Sequence, residues 1–172
     1  MIPVIAVVGW HNAGKTRFVE GLVKALKARG LRVATIKHSG HFQLDREGTD
    51  TWRYAQAGSD LILISGGGQV ALLERVDQDL PLSALLARLP AGLDLVIAEG
   101  FKRADVPKFE IVRRETGLER IAPDGQLLAL VTPEKSLCDG DLPCLHCDDY
   151  QGALALLAAQ GLFPKAPTQG EA

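Results

Sequence analysis

A glycine-rich loop between an apolar run and a helical pattern constrains this sequence more than any other feature. Val4 to Val8 lead into Gly9-Trp10-His11-Asn12-Ala13-Gly14-Lys15-Thr16, which matches the pattern G-x-x-x-x-G-K-[ST] in full. Glycines let backbone N–H groups turn inward toward an anion, and the helix start adds its positive dipole end. We therefore predict that the loop holds nucleotide phosphates, with Lys15 at the β- and γ-phosphates and Thr16 on Mg²⁺. A chance glycine turn is the alternative, which the flanking strand and helix disfavour.

Hydrophobic periodicity predicts strands that alternate with helices along the whole chain. Continuous apolar runs are typical of strands buried on both faces, and Phe18, Leu22 and Leu26 form an apolar stripe at helical spacing. The first helix is predicted to begin within Gly14–Thr16 and to end near Arg29. Further helices are predicted at 49–58, 80–89 and 149–159, and strands at 4–8, 31–38, 60–65, 69–76, 93–98, 108–114, 126–132 and 142–147.

This pattern predicts an α/β fold of the P-loop NTPase type, with a largely parallel central sheet and helices on both faces. Strand 69–76 returns after three glycines, which adds an antiparallel hairpin at the edge. We expect strand 60–65 to be buried, whereas the alternating pattern of 108–114 favours a place nearer an edge. Residues 1–163 are predicted to form one nucleotide-binding domain, followed by a flexible tail at 164–172.

A P-loop needs an acidic partner for its metal, and that acid usually follows another buried strand. Glu99 closes the run LVIA and precedes Gly100, whose small size leaves room for phosphate. Asp94 begins the same strand and so belongs to the opposite end of the sheet. Because ligands bind at the carboxyl ends of parallel strands, Glu99 is the predicted second metal ligand. A surface acid at a strand end is the alternative for this residue.

The loop after the second strand is also predicted to lie on the carboxyl side of the sheet. It is rich in side chains that can hold metals or phosphates. For each of these residues, a place in an ordinary solvated polar loop is an equally good alternative. The residues concerned are Lys37, His38, His41, Asp45, Arg46 and Asp50.

Three cysteines fall within one ten-residue window, at positions 138, 144 and 147. Their odd number and close spacing do not indicate a disulfide framework. Together with His146 they invite a zinc hypothesis, but the spacing lacks the paired knuckles of a strong zinc site. In a strand, Cys144 and Cys147 act as small apolar residues, and this apolar interpretation is favoured.

Composition excludes several classes of partner. The net charge is −2, from 19 basic and 21 acidic residues, so no nucleic-acid or membrane-surface partner is indicated. No apolar run reaches the ~18 residues that span a bilayer, and the N-terminus lacks the features of a signal peptide. A cytoplasmic location is therefore expected.

Six features of the sequence together carry a family resemblance. They are the P-loop, IKHSGH (36–41), Asp45 with Gly48 and Asp50, RYAQAG (53–58), EGFK (99–102) and PKFEIVR (107–113). These stretches resemble the MobB family of molybdopterin-guanine dinucleotide biosynthesis adapters, and the resemblance extends to about Leu157. The paired elements around EGFK and IKHSGH are far more specific than the P-loop alone.

The resemblance implies a GTP-binding P-loop protein of the SIMIBI type, usually a homodimer, that hydrolyses GTP weakly. It would assist the molybdopterin guanylyltransferase that joins GMP to molybdopterin, with molybdopterin-handling proteins as partners and molybdopterin as a candidate ligand. It gives Lys102, Lys108 and Arg113 positions suited to phosphate or partner contact. The predicted nucleotide-contacting set is Gly9 to Thr16, Arg17, Lys37, His38, Asp45, Glu99, Gly100 and Lys102, with His41 in the same loop and Thr16 and Glu99 as metal ligands.

Two departures from common nucleotide-binding patterns stand out. Arg17 occupies a position where a second Ser or Thr is frequent, which alters the α-phosphate contact. No N-K-x-D guanine motif is present in the sequence, and Thr132-Pro133-Glu134 is the nearest position. Trp10 and His11, the variable residues of the loop, are the first candidates for nucleotide or pterin contact.

The absence of an evident catalytic glutamine or arginine finger favours an adapter with slow hydrolysis over a fast enzyme. Two other functions remain open. A small-molecule P-loop kinase would use basic residues near Lys102 to hold its acceptor. A GTP-dependent metallochaperone would use Cys144, His146 and Cys147 as ligands.

Overall fold

The structure is a computed structural model that describes residues 2–40, 45–138 and 140–163. The structure divides into two compact units, one formed by the described residues up to His38 together with those from Arg88 onward, and one formed by the described residues between Ser39 and Ala87. The elements are, in chain order, β1 (Val4–Gly9), α1 (Lys15–Lys27), β2 (Val33–Lys37), α2 (Asp50–Gln56), β3 (Leu61–Gly66), β4 (Gln69–Glu74), α3 (Leu82–Leu86), β5 (Leu95–Glu99), β6 (Lys108–Ile111), β7 (Leu127–Val131), β8 (Cys144–Leu145) and α4 (Tyr150–Ala159), with short 3-10 turns at 114–116, 124–126 and 135–137.

The first unit is built on a six-stranded sheet in the order β2-β5-β1-β6-β7-β8. Every neighbouring pair is parallel, so all six strands deliver their carboxyl ends to the same edge. The register sets Glu99, the last residue of β5, beside Val7 of β1 and Lys37 of β2. Glu99 therefore lies at the edge where β1 runs into the glycine-rich loop.

Helix α1 covers the sheet with the apolar stripe seen in the sequence. Phe18, Val19, Leu22 and Leu26 are its buried residues, and the Phe18 ring packs edge-on against Phe109 of β6 with centroids 5.6 Å apart. Helix α4 packs beside α1 and begins where the sequence predicts. The side chain of Asp149 caps its first turn by accepting a hydrogen bond from the Gly152 N–H at 2.8 Å.

The second unit contains α2, α3 and an antiparallel hairpin in which β3 pairs with β4. The hairpin was expected, but the predicted burial of strand 60–65 is wrong. Ile62 is buried, whereas Leu61, Leu63 and Ile64 are exposed. An apolar run signals only that a strand has apolar faces; what covers those faces depends on neighbours that are remote in sequence.

Strand β6 corrects a second expectation, since it does not lie near an edge of the sheet. Its four residues are fully buried between β1 and β7. The two polar residues that produced the alternating pattern are satisfied internally. Lys108 Nζ donates to the carbonyls of Ala104 and Val106 and to the Gln126 side chain, and the Glu110 carboxylate accepts from the N–H groups of Ile121 and Ala122.

The cysteine cluster corrects a third expectation, because Cys138 and Cys144 form a disulfide and Cys147 is free. Cys144 is therefore not available as a thiolate ligand, which contradicts the metal set of Cys144, His146 and Cys147. Within the described residues, no group of three or more His, Cys, Asp or Glu side chains has the arrangement of a metal site. None of the helices in this part of the chain is long and apolar enough to cross a membrane.

Candidate functional site

The loop between β1 and α1 has the backbone geometry that its glycines predict. Gly9 and Gly14 adopt positive φ angles of 145° and 97°, and Asn12 has a φ of 59°. Gly14 is the N-cap of α1 and makes no side-chain capping bond, so the first N–H groups of the helix are not capped by a side chain. These donors and the helix dipole together suit an anion.

The Lys15 side chain folds back over this loop. Its ammonium donates to the carbonyl of Gly9 at 3.1 Å and to that of Trp10 at 2.7 Å. Partial burial lowers the pKa of Lys15 from its ordinary value, while the charge of Glu99 opposes this shift and that of Lys37 adds to it. The loop thus holds a positive charge at its centre, where the predicted phosphates would bind.

Three further side chains meet at the start of α1. The Thr16 hydroxyl donates to both Glu99 carboxylate oxygens, at 3.1 and 3.2 Å. Lys37 Nζ lies 3.1 Å from Glu99 Oε1 and 3.3 Å from Thr16 Oγ1. A hydroxyl and a carboxylate are the hard oxygen donors that Mg²⁺ prefers, so the residues present fit the predicted cation. Asp94 takes no part here, since its carboxylate accepts from the Arg32 N–H at 2.7 Å, before β5 begins.

The segment after Glu99 closes tightly against the end of β2. Gly100 has a φ of 104°, and a Cβ at this position would lie 3.3 Å from the His38 carbonyl oxygen. The His38 N–H donates to the Glu99 carbonyl at 3.0 Å, and the His38 ring packs edge-on against Phe101 at 5.5 Å. Lys102 is exposed just beyond this contact.

The remaining residues of the glycine-rich loop, and Arg17 after it, differ in their exposure and contacts. Trp10 donates from its indole nitrogen to the Glu119 carbonyl at 2.9 Å, while His11 and Asn12 are exposed and Ala13 is buried. Arg17 is exposed and forms an ion pair with Asp148 at 3.1 Å. Trp10 thus tethers the loop to the segment that follows β6.

Lys108 has a structural role, Asp45 makes a local hydrogen bond, and His41 lies outside the described part of the chain. Lys108 is buried in the sheet, so the implied phosphate or partner contact of this residue is wrong. Asp45 belongs to the second unit, where its carboxylate accepts from Thr49 Oγ1 at 2.6 Å just before α2. This hydrogen bond is the main cause that lowers the pKa of Asp45. His41 is not among the described residues.

Comparisons with known proteins find one family and several relatives. The family model described as molybdopterin guanine dinucleotide synthesis protein B, MobB, matches residues 4–133. A molybdopterin-guanine dinucleotide biosynthesis adapter protein of Haemophilus influenzae is 35% identical over 133 residues, which are 76% of this chain and 75% of that protein. This chain belongs to the MobB family. A probable adapter protein of Bacillus subtilis is 33% identical over 153 residues, which are 86% of this chain and 87% of that protein.

Solved MobB structures share the fold and confirm the predicted fold class. The crystal structure of Bacillus subtilis MobB has a TM-score of 0.70 and 29% sequence identity, and the alignment covers 95% of this chain and 99% of that one. A structure of molybdopterin-guanine biosynthesis protein B has a TM-score of 0.73 and 25% identity, with 91% and 99% of the two chains covered. The MobB match at 4–133 includes the loop, Lys37, Glu99 and Arg113.

The main element that sequence reasoning missed in this MobB-family site is the segment after β6. Arg113 lies over Gly14, because a Cβ at Gly14 would stand 3.8 Å from Arg113 Nη1. The same segment supplies the Glu119 carbonyl that binds Trp10. The motif PKFEIVR marked Arg113 as a phosphate or partner contact, but no sequence signal places it at the glycine of the loop.

Proposed function

We propose that this MobB-family chain binds GTP with Mg²⁺ and acts as an adapter in molybdopterin guanine dinucleotide formation, where it assists the guanylyltransferase that joins GMP to molybdopterin. The observation that carries the nucleotide part is the convergence of Lys15, Thr16, Lys37 and Glu99 on the loop. The relatives, which are named as adapter proteins of this synthesis, support the rest. The preference for guanine rests on these relatives.

In this proposal Lys15 and the N–H groups at the start of α1 bind the β- and γ-phosphates. Thr16 and Glu99 would hold Mg²⁺, which would neutralise negative charge on the phosphates. Lys37, now paired with Glu99, is placed to turn from the carboxylate to a phosphate oxygen. This exchange keeps each charge paired in both states, so binding needs only local side-chain movement.

Slow hydrolysis follows from the same arrangement. Fast hydrolysis requires a group that positions the attacking water, and often an arginine at the γ-phosphate. Glu99 is engaged by Thr16 and Lys37, which suits a metal ligand better than a general base. We therefore propose that GTP occupancy, not its turnover, controls the contact with the guanylyltransferase in the cytoplasm.

Competition binding tests the nucleotide proposal. Labelled GTP bound in the presence of Mg²⁺ is competed with unlabelled GTP or ATP. Wild-type protein is expected to bind GTP and to prefer it over ATP, and Lys15→Ala is expected to lose tight binding. Lys24→Ala is the matched control, since Lys24 lies on the same helix and pairs with Glu20 on its exposed face. Unchanged GTP affinity in Lys15→Ala overturns the site.

A reconstituted reaction tests the adapter role. The purified protein is added to a molybdopterin guanylyltransferase with molybdopterin and GTP, and dinucleotide formation is measured. We expect stimulation by wild-type protein and none by Lys15→Ala. A GTP turnover of the isolated protein near 1 s⁻¹, which is within the range of ordinary enzymes, would contradict the adapter role.

A homodimer is the proposed assembly, and one face of the hairpin supports it. Leu61, Leu63, Val70 and Leu72 project from the same face, by the strand register, and each is between 50% and 66% exposed. Exposed apolar faces of this kind mark interaction surfaces. A two-stranded hairpin is also marginal by itself, so a partner that covers this face would stabilise it. We further propose that residues 1–163 act as one nucleotide-binding domain.

A further inference from the structure

A cavity of about 130 Å³ lies beside the start of α1. It is separate from the contacts of Thr16 and Glu99, and the mechanism proposed so far does not use it. The residues of its wall that matter here are Gly14, Arg17, Arg113, Pro133, His146 and Cys147.

The order of the sheet shows where this cavity lies relative to the metal ligands. β5 and β2, which supply Glu99 and Lys37, are on one side of β1. β6, β7 and β8, which precede Arg113, Pro133 and His146, are on the other side. A nucleotide whose terminal phosphates meet Glu99 and Lys37 therefore has its opposite end directed toward the cavity.

Arg113 connects the cavity to the loop. Its Nη1 would be 3.8 Å from a Cβ on Gly14, so the guanidinium stands beside the N-cap of α1. Its Nε is buried and has no hydrogen-bond partner, and the carboxylate of Glu115 forms a loose ion pair with this nitrogen at 3.7 Å. Buried donors are normally paired, and a guanidinium in this position matches a phosphate oxygen well.

The volume of the cavity limits what it can hold. Pockets that enclose a whole drug-sized ligand measure about 300–1,000 Å³, so a cavity of about 130 Å³ receives only part of a nucleotide. Arg17 and Arg113 are on its wall, and Arg17 is held by Asp148 at 3.1 Å. Arg113, whose Nε has no hydrogen-bond partner, is the better placed of the two to bind an anion.

We propose that Arg113 binds the α-phosphate of the nucleotide and that the wall at Pro133, His146 and Cys147 receives its nucleoside end. This assignment rests on the proposed binding of GTP at the loop. It gives the chain a nucleoside site without an N-K-x-D motif, built from the segments that follow β6, β7 and β8.

Arg113→Gln tests the phosphate contact, and Arg114→Gln is the matched control. Arg114 is the next residue and pairs with Glu134 at 3.0 Å. Affinities for GTP and for pyrophosphate are measured with Mg²⁺, since pyrophosphate occupies the terminal positions only. Loss of a charge-assisted bond predicts at least about a tenfold loss of GTP affinity in Arg113→Gln. The pyrophosphate affinity of Arg113→Gln is expected to stay within about twofold of wild type. In Arg114→Gln, the affinities for GTP and for pyrophosphate are both expected to stay within the same limit.

The results separate the two proposals. A wild-type protein that binds neither ligand contradicts the proposed function. Wild-type GTP binding with no change in Arg113→Gln overturns the present assignment, and so does an equal loss of GTP and pyrophosphate affinity. Circular dichroism of each variant confirms that it is folded.

Cys147 gives a second test that needs no substitution at Arg113. Cys138 and Cys144 are tied in a disulfide, so Cys147 is the single free thiol of the chain. Its alkylation by iodoacetamide is followed without reductant, alone and with saturating GTP or pyrophosphate, each with Mg²⁺. We expect GTP to slow the reaction severalfold and pyrophosphate to leave it unchanged. Equal rates in all three conditions contradict a nucleoside at this wall. Cys147→Ser, which has no free thiol, sets the background of the assay.

Discussion

The Thr16 hydroxyl lies 3.1 Å from Glu99 Oε1 although 83 residues separate them in sequence. The contact follows from the sheet, because β1 and β5 are adjacent and parallel and Glu99 pairs with Val7 two residues before Gly9. Strand register thus delivers the carboxylate to the first turn of α1. The pair supplies two oxygen donors of the kind that Mg²⁺ prefers.

Glu99→Gln is expected to reduce the effect of Mg²⁺ on GTP affinity. Loss of a carboxylate at or next to a metal typically lowers metal affinity by about 10–100-fold. GTP titrations with Mg²⁺ and with EDTA measure this effect as a ratio of dissociation constants. Asp94→Asn is the control. Asp94 precedes the first residue of β5, at the end of the strand opposite Glu99, and its carboxylate accepts a hydrogen bond from the Arg32 N–H. An unchanged ratio of dissociation constants in Glu99→Gln would show that Glu99 is not a ligand of the metal.

Gly9→Ala is expected to destabilise the fold by about 2–4 kcal/mol, the sum of overpacking and backbone strain. A Cβ at Gly9 would stand 2.5 Å from the Ile111 carbonyl oxygen, and Gly9 has a φ of 145°. The clash is with backbone, so no side-chain rotation relieves it. Urea unfolding measures the loss. Gly125→Ala is the control, since a Cβ there meets nothing within 4 Å; equal stability of the two variants would contradict the strain argument.

Local signals in the sequence predicted much of the first unit. The stripe from Phe18 to Leu26 positioned α1, and Asp149 marked the start of α4, because both depend on residues within a few positions. Glu99 was predictable because strand ends in a parallel sheet share one edge. The positive φ angles of Gly9 and Gly14 were predictable because glycine is a local signal.

Other features depend on contacts between distant segments, which no local pattern contains. The central place of β6 required knowing that Lys108 finds carbonyl acceptors and that Glu110 finds backbone donors. Alternation of polar and apolar residues is the same for an edge strand and for a central strand with such partners. The approach of Arg113 to Gly14 is likewise set by packing between β1 and β6.

The buried carboxylate of Glu110 is expected to make stability depend on pH. Burial raises its pKa above the ordinary value of 4.5, although hydrogen bonds from the Ile121 and Ala122 N–H groups oppose this. The folded state then holds this proton more tightly than the unfolded chain does. The contribution of Glu110 to the free energy of unfolding is therefore greatest below pH 4.5, and it is lost as the pH rises through the raised pKa.

Comparison with Glu110→Gln isolates this effect. The unfolding free energy of wild type, minus that of the variant, is expected to fall as pH rises from 4.5 and then to level off. Urea unfolding of both proteins from mildly acidic to neutral pH measures the difference. A difference that stays constant, or that rises with pH, would show that burial does not dominate the titration of Glu110.

Leu63→Lys is expected to dissociate the proposed homodimer. Leu63 pairs with Leu72 across the hairpin and is 62% exposed, so a lysine there is tolerated in a single chain but places a charge in an apolar interface. Multi-angle light scattering should give wild type the mass of two 18.4 kDa chains and the variant the mass of one. Gln69→Lys is the control, because it adds the same charge at an exposed polar position near the turn. Wild-type protein that is monomeric at the concentrations used would contradict the homodimer. A Leu63→Lys variant that stays dimeric would show that the dimer interface lies elsewhere.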